Sequence, residues 1–189
     1  MFGDEGMPPS LCGECRHTPP PWGRLYFHGR YAGALRELIL SYKFHNGFSR
    51  NSLLSTLAQE TFPQTPDRSP DLIIPVPLHR KRLLWRGFNQ STQLARSLGA
   101  TRGIPVHNDG LIRIRHTPPQ TRLDRRERQA NIKDAFAADR ETVADKIVLL
   151  VDDVYTTGAT LRECAHTLKQ AGARGVDVLV LGRAQQEPA

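Results

Sequence analysis

The 189-residue sequence holds few cysteines: only Cys12, Cys15 and Cys164. An odd count with one close pair does not make a disulfide framework, so a reducing, cytoplasmic setting is expected. No run of 18 or more apolar residues occurs, so no membrane-spanning helix is predicted. The opening stretch carries Asp4, Glu5, Pro8 and Pro9, which is not the basic and then apolar pattern of a secretory leader. Gly-x-Gly-x-x-Gly is absent, and so is the Gly-Lys-[Ser/Thr] of a Walker loop. These absences exclude the two commonest nucleotide fingerprints. Internal repeats and low-complexity tracts are also missing.

Hydrophobic residues make up 39% of the chain and charged residues 24%, ordinary values for a globular protein. The length suits one α/β domain with a small appendage. Net charge is +7, but it is unevenly placed. Residues 80–130 hold 12 Lys and Arg against 3 Asp and Glu, whereas the rest of the chain holds 14 against 16. A concentrated positive stretch implies an anionic partner, either a phosphorylated small molecule or nucleic acid. The plainer reading is a solvated basic face.

Apolar spacing sets the expected elements. Residues 1–23 read as an irregular, proline-rich segment, and residues 24–189 as the main domain. Residues 24–30 suit a short strand. Leu35, Leu38, Ile39 and Tyr42 repeat at helical spacing, as do Leu53, Leu54, Leu57 and Ala58. Residues 71–76, 111–114, 147–151 and 176–181 read as strands, and residues 87–98 and 157–170 as helices. Residues 116–131 are basic, contain Pro118 and Pro119, and read as a long loop. Strands alternating with helices predict a doubly wound parallel sheet.

The most informative segment is 147–160, Ile-Val-Leu-Leu-Val-Asp-Asp-Val-Tyr-Thr-Thr-Gly-Ala-Thr. An apolar strand runs into two acids, then into a short hydroxyl-rich turn that opens a helix. Open α/β sheets bind ligands at this edge. Asp152 and Asp153 can accept hydrogen bonds from neighbouring ribose hydroxyls. The main-chain N–H groups of Val154, Tyr155, Thr156, Thr157, Gly158, Ala159 and Thr160 can close on a phosphate, helped by the helix dipole. A diol grip followed by a phosphate cradle fits a sugar phosphate. The structural alternative is a strand-turn-helix whose acids only cap the helix, although two buried acids are costly without donors.

This segment resembles the binding motif for 5-phosphoribosyl-1-pyrophosphate (PRPP) of the type I phosphoribosyltransferases. Further pieces stand at residues 75–79 (Pro-Val-Pro-Leu-His), 86–90 (Arg-Gly-Phe-Asn-Gln), 117–120 (Thr-Pro-Pro-Gln), 128–131 (Arg-Gln-Ala-Asn) and 135–136 (Ala-Phe). Their order is similar to that of the ComF family of competence-associated proteins, from about Cys12 to the C-terminus. The resemblance implies a type I phosphoribosyltransferase-like fold, PRPP as ligand, and Mg²⁺ bridging pyrophosphate and ribose oxygens through substrate and water. It implies a glycosyltransferase activity that releases pyrophosphate, with Asp152, Asp153 and Arg122 at its centre. His79, Arg80 and Lys81 take the place of the pyrophosphate loop, the structural alternative being a basic helix start on the surface. Arg82, Arg86, Arg125, Arg126 and Arg128 are placed against pyrophosphate or a nucleic-acid backbone. A role in DNA uptake during natural transformation follows, with single-stranded DNA and other competence proteins as expected partners. A metabolic phosphoribosyltransferase and a non-catalytic PRPP sensor are the competing expectations.

Cys12-x-x-Cys15 has the spacing of half a tetrahedral zinc site. The family usually carries further CxxC pairs upstream, which this sequence does not contain, so the Zn²⁺ site is read as incomplete. Cys164 falls on the inward face of its helix and reads as core.

Overall fold

The computed structural model describes residues 19–44, 48–66, 68–115, 117 and 131–184. Its centre is a parallel sheet. Strand β5 (Ile147–Val151) and strand β2 (Leu72–Pro75) are buried along their whole length, and β7 (Gly175–Arg183) is buried except at its end. Buried, largely apolar runs of this kind, interrupted in β7 by Asp177 with its donors Arg24 N–H and Arg68, require cover on both faces, the usual condition of a parallel sheet. The order is β1-β7-β5-β2, with β1 at Leu25–Arg30. A two-residue strand, β6 (Val154–Tyr155), also pairs with β7.

Six described helices flank this sheet and its loops: α1 (Gly33–Phe44), α2 (Phe48–Thr61), α3 (Arg80–Arg86), α4 (Gln90–Arg102), α5 (Arg140–Val143) and α6 (Ala159–Gln170). Alternate strand residues point to opposite faces, and the two cores divide accordingly. Ile73, Leu149, Val151, Leu179 and Leu181 pack with Ile39 and Tyr42 of α1, Leu54 and Ala58 of α2, and Leu94 and Leu98 of α4. Ile74, Val148, Leu150, Val176 and Val178 pack with Leu161, Cys164 and Leu168 of α6. The sheet is thus doubly wound, as the sequence predicts, and Cys164 is core.

Three expectations need correction. Residues 111–114 do not join the parallel sheet. Strand β3 (Leu111–Arg113) forms a separate antiparallel pair with β4 (Phe136–Ala138). Leu111 is buried while Ile112 is 47% exposed, so only one face of this ribbon meets the core. Second, the helix expected from Gly87 begins at Gln90. Gly87, at φ 80°, instead terminates α3 in the left-handed conformation. Third, α3 stands where the resemblance implied a loop, so the alternative of a basic helix start on the surface is the one the structure shows. None of its residues is buried, so no apolar periodicity announces it.

Of residues 1–23, those described pack against the domain. Trp22 is buried in the α6-side core, edge-on to Tyr155, and Gly23 N–H donates to the Val176 carbonyl.

Candidate active site at the sheet edge

Strands β5 and β6 occupy one track beside β7, interrupted only by Asp152 and Asp153. The register is the same on both sides of the break, since Val151 faces Leu179 and Val154 faces Gly182. The main chain holds the interruption in place. Asp152 N–H donates to the Leu179 carbonyl at 2.9 Å, and the Asp153 carbonyl accepts from Leu181 and Gly182, each at 3.1 Å. The two carboxylates therefore stand at the C-terminal edge of the sheet, where the sequence predicts them.

Their side chains have protein partners. Asp152 Oδ1 accepts from Ser91 Oγ and from the Asp153 N–H, both at 2.9 Å. Asp153 Oδ2 lies 2.5 Å from Lys43 Nζ, with the two side chains 13% and 20% exposed. Burial, and next the Asp153 charge, push the Asp152 carboxyl up to about 7; the Asp153 N–H, Lys43 and Ser91 pull the other way. For Lys43, burial works against the ammonium, but the contact with Asp153 outweighs it and raises the pKa. Tyr42, next to Lys43, is pushed up to about 12, by burial and then by Asp153.

The expected phosphate turn follows directly. Helix α6 starts from Gly158 at φ 75°, a cap residue with no side chain to bond the first turn. A helix start of this kind carries the N-terminal partial positive charge that favours an anion. Gly158 is needed twice over: for its left-handed backbone, and because a Cβ there would lie 2.7 Å from the Tyr155 hydroxyl. Thr156 is exposed, Thr157 and Thr160 are half-buried, and Thr157 Oγ1 accepts weakly from Ala159 N–H at 3.4 Å. Val154 packs against the α1-side core, and the Tyr155 ring is buried. Those two residues can offer a ligand only their main chain.

Across the acids, α3 and β3 bring arginines together. Arg82 donates to the Thr117 carbonyl at 3.1 Å, and Arg113 donates to the Thr117 hydroxyl. Arg113 Nε is buried without a hydrogen-bond partner. Burial, and then the nearby Arg82 charge, lower Arg113 to about 10. Burial also lowers Arg82 and Arg86; at Arg86 the Asp153 charge opposes it and Arg82 adds to it. Half-buried guanidiniums this close together suit a multivalent anion. His79 sits at the start of α3 as its cap, its Nδ1 accepting from Lys81 N–H at 3.2 Å. Arg80 and Lys81 lie exposed on the first turn of α3.

The structure thus brings Asp152, Asp153, Arg82, Arg86 and the turn 154–160 to one edge of the sheet. Arg122, Arg125, Arg126, Arg128, Cys12 and Cys15 lie outside the described residues. Lys43, Ser91 and Arg113 are site residues that sequence reasoning missed. Ser91 follows a helix-capping Asn89 and reads locally as part of a helix start. Lys43 meets Asp153, and Arg113 comes within range of the Asp152 charge, only through the tertiary fold.

A parallel sheet covered on both faces, with two strand-end acids and a glycine turn opening a helix, is the arrangement of a phosphoribosyltransferase-type domain, and the family model described as the phosphoribosyl transferase domain matches residues 83–188. The chain is 36% identical over 179 residues to competence protein F of Haemophilus influenzae, covering 92% of this chain and 78% of that one. It is 38% identical over 179 residues to the DNA utilization protein YhgH of Escherichia coli K12, covering 91% and 77% respectively. The chain belongs to the ComF family of competence proteins. Among solved structures, a glutamine PRPP amidotransferase from B. subtilis is 26% identical with a TM-score of 0.47, over 70% of this chain and 26% of that one.

Proposed function

We propose that this chain binds PRPP, with the ribose diol on Asp152 and Asp153, the 5-phosphate in the turn at residues 154–160, and the pyrophosphate facing Arg82, Arg86 and Arg113. The observation that carries the reading is the segregation of charge around one strand end: paired carboxylates, a glycine-initiated helix start, and a cluster of guanidiniums. A ribose flanked by two phosphoryl groups has the matching sequence of diol and anions. Lys43 already engages Asp153, so the aspartates are not an open metal cage. Mg²⁺ would enter as part of the substrate and would supply positive charge to the leaving group.

The chain's own residues then favour phosphoribosyl transfer. The bond from the anomeric carbon to pyrophosphate breaks while the acceptor, a base, an amine or ammonia, forms a carbon–nitrogen bond at the same carbon and gives up a proton, and the ribose carries oxocarbenium character in between. The carboxylates hold the hydroxyls in position, and the arginines stabilise the departing charge. Calorimetric titration with Mg²⁺-PRPP tests the assignment: Asp152→Ala/Asp153→Ala should abolish binding seen in the wild type. Equal affinity in both proteins overturns it. Turnover is tested by release of pyrophosphate in the presence of bases, amines or ammonia. Stabilisation by PRPP without release under any of these conditions identifies a sensor.

A second ligand, single-stranded DNA, is favoured by the exposed Trp85 (73%) on α3 beside Arg80 and Lys81. An aromatic ring among cations is a sequence-tolerant platform for bases and phosphates. The names of the two relatives, competence and DNA utilization, agree with it. Binding should weaken steeply as salt rises, and no binding at low salt removes this part of the reading. No helix among the described residues is long and apolar enough to cross a membrane.

A further inference from the structure

We propose that Lys43 is a positioning residue of this site: its ammonium fixes the Asp153 carboxylate at the sheet edge and supplies the charge that lets two adjacent aspartates stand there together. Both ends of the contact are anchored before any ligand arrives. Asp153 hangs from β7 through its carbonyl. Lys43 sits in the last turn of α1, where a cation is favoured by the helix dipole. Ile39 and Tyr42 anchor that turn in the core, and the Tyr42 hydroxyl donates to Asn51 Oδ1 of α2 at 2.9 Å. The Tyr42 ring also leans on Phe88, with centroids 5.2 Å apart.

The surroundings show why a cation is required. Asp152 and Asp153 repel one another in a mostly buried position. Around them stand Tyr31, Tyr42 and Lys43 from α1 and the residues before it, Arg86 from α3, Ser91 from α4, Arg113 from β3 and Cys164 from α6. Ser91 gives a neutral hydrogen bond. Arg86 and Arg113 belong to the cluster assigned to pyrophosphate, so a bound ligand engages them. Tyr31, Tyr42 and Cys164 add no positive charge. Lys43 is in direct contact and is not otherwise committed. Without it, one of the two acids must take up a proton, and a protonated acid is a poorer acceptor for sugar hydroxyls.

The test has two arms. The first needs no ligand: the full chain carries ¹³C-labelled aspartate carboxyls, and the Asp152 titration is followed by NMR in wild type, Lys43→Met and Lys43→Arg. The midpoint should rise by about one pH unit in Lys43→Met and return in Lys43→Arg. An unchanged midpoint in Lys43→Met overturns the proposal. The second arm rests on the sugar-phosphate reading and measures Mg²⁺-PRPP affinity against pH. A shift of that size lowers the ionised fraction at pH 7, so affinity should fall about fivefold and the profile should move to higher pH. If Asp152 shifts but the wild type binds no PRPP, the ligand reading fails and the Lys43 assignment stands. If Lys43→Met does not fold, the paired variant Lys43→Met/Asp153→Asn removes the orphaned carboxylate as well. Recovery of the fold supports the assignment, and continued failure overturns it.

Discussion

Removing the charge of Asp152 should make the ligand-free protein more stable. The substitution Asp152→Asn is nearly isosteric, and its Oδ1 can still accept from Ser91 Oγ and the Asp153 N–H. What it removes is a buried carboxyl whose pKa rises on folding from 3.8 to about 7. Below about pH 4 that carboxyl is protonated in both folded and unfolded chains and costs nothing. Between about pH 4 and 7 the folded state binds the proton and the unfolded state does not, so wild-type stability falls as pH rises. Above 7 the full cost is present. A shift of this size corresponds to about 4 kcal/mol at most, and because the titration is shared with Asp153 a gain of about 2 kcal/mol is the smallest expected. For a chain of this length that is a melting-temperature gain of about 4–8 °C. Thermal denaturation at pH 8 and at pH 4, without ligand, provides the assay. The gain should be present at pH 8 and absent at pH 4. A variant less stable than wild type at pH 8, or equally stabilised at both pH values, refutes the account of Asp152 as a strained buried acid.

Two further outcomes follow from the same geometry. Gly158→Ala should destabilise by about 2 kcal/mol or more, from a strained backbone and the Tyr155 hydroxyl in its way; chemical denaturation reads this, and an unchanged midpoint contradicts the described turn. Arg113→Gln should weaken binding of inorganic pyrophosphate about tenfold, since it removes a charge-assisted donor, while ribose 5-phosphate binding stays near the wild-type value. Equal calorimetric losses for both ligands place Arg113 elsewhere.

Local chemistry made part of this molecule legible. The stretch 147–160 carries its whole meaning within itself: apolar residues that need cover on two faces, two acids that cannot be buried idly, and a glycine where a helix must begin. The division of strand residues between two cores is likewise a consequence of alternation. Other features depend on partners distant in the chain. Ile112 and Ile114 read as strand, but their exposure (47% and 58%) shows that β3 belongs to a one-sided ribbon. Helix α3 buries nothing and so has no apolar rhythm. Lys43 is a lone charge at the end of an apolar helix face, and only the packing of α1 against the sheet turns it toward Asp153. Sequence pattern reports which surfaces are covered; it does not report which charge meets which.

The two aspartates are suspended from the neighbouring strand by their peptide groups. Their location is therefore indifferent to what they carry. A lineage could exchange either acid for its amide and retain the same cup without its grip, or regain the grip with one codon. Kinship in shape at this edge therefore says little about which charges it carries.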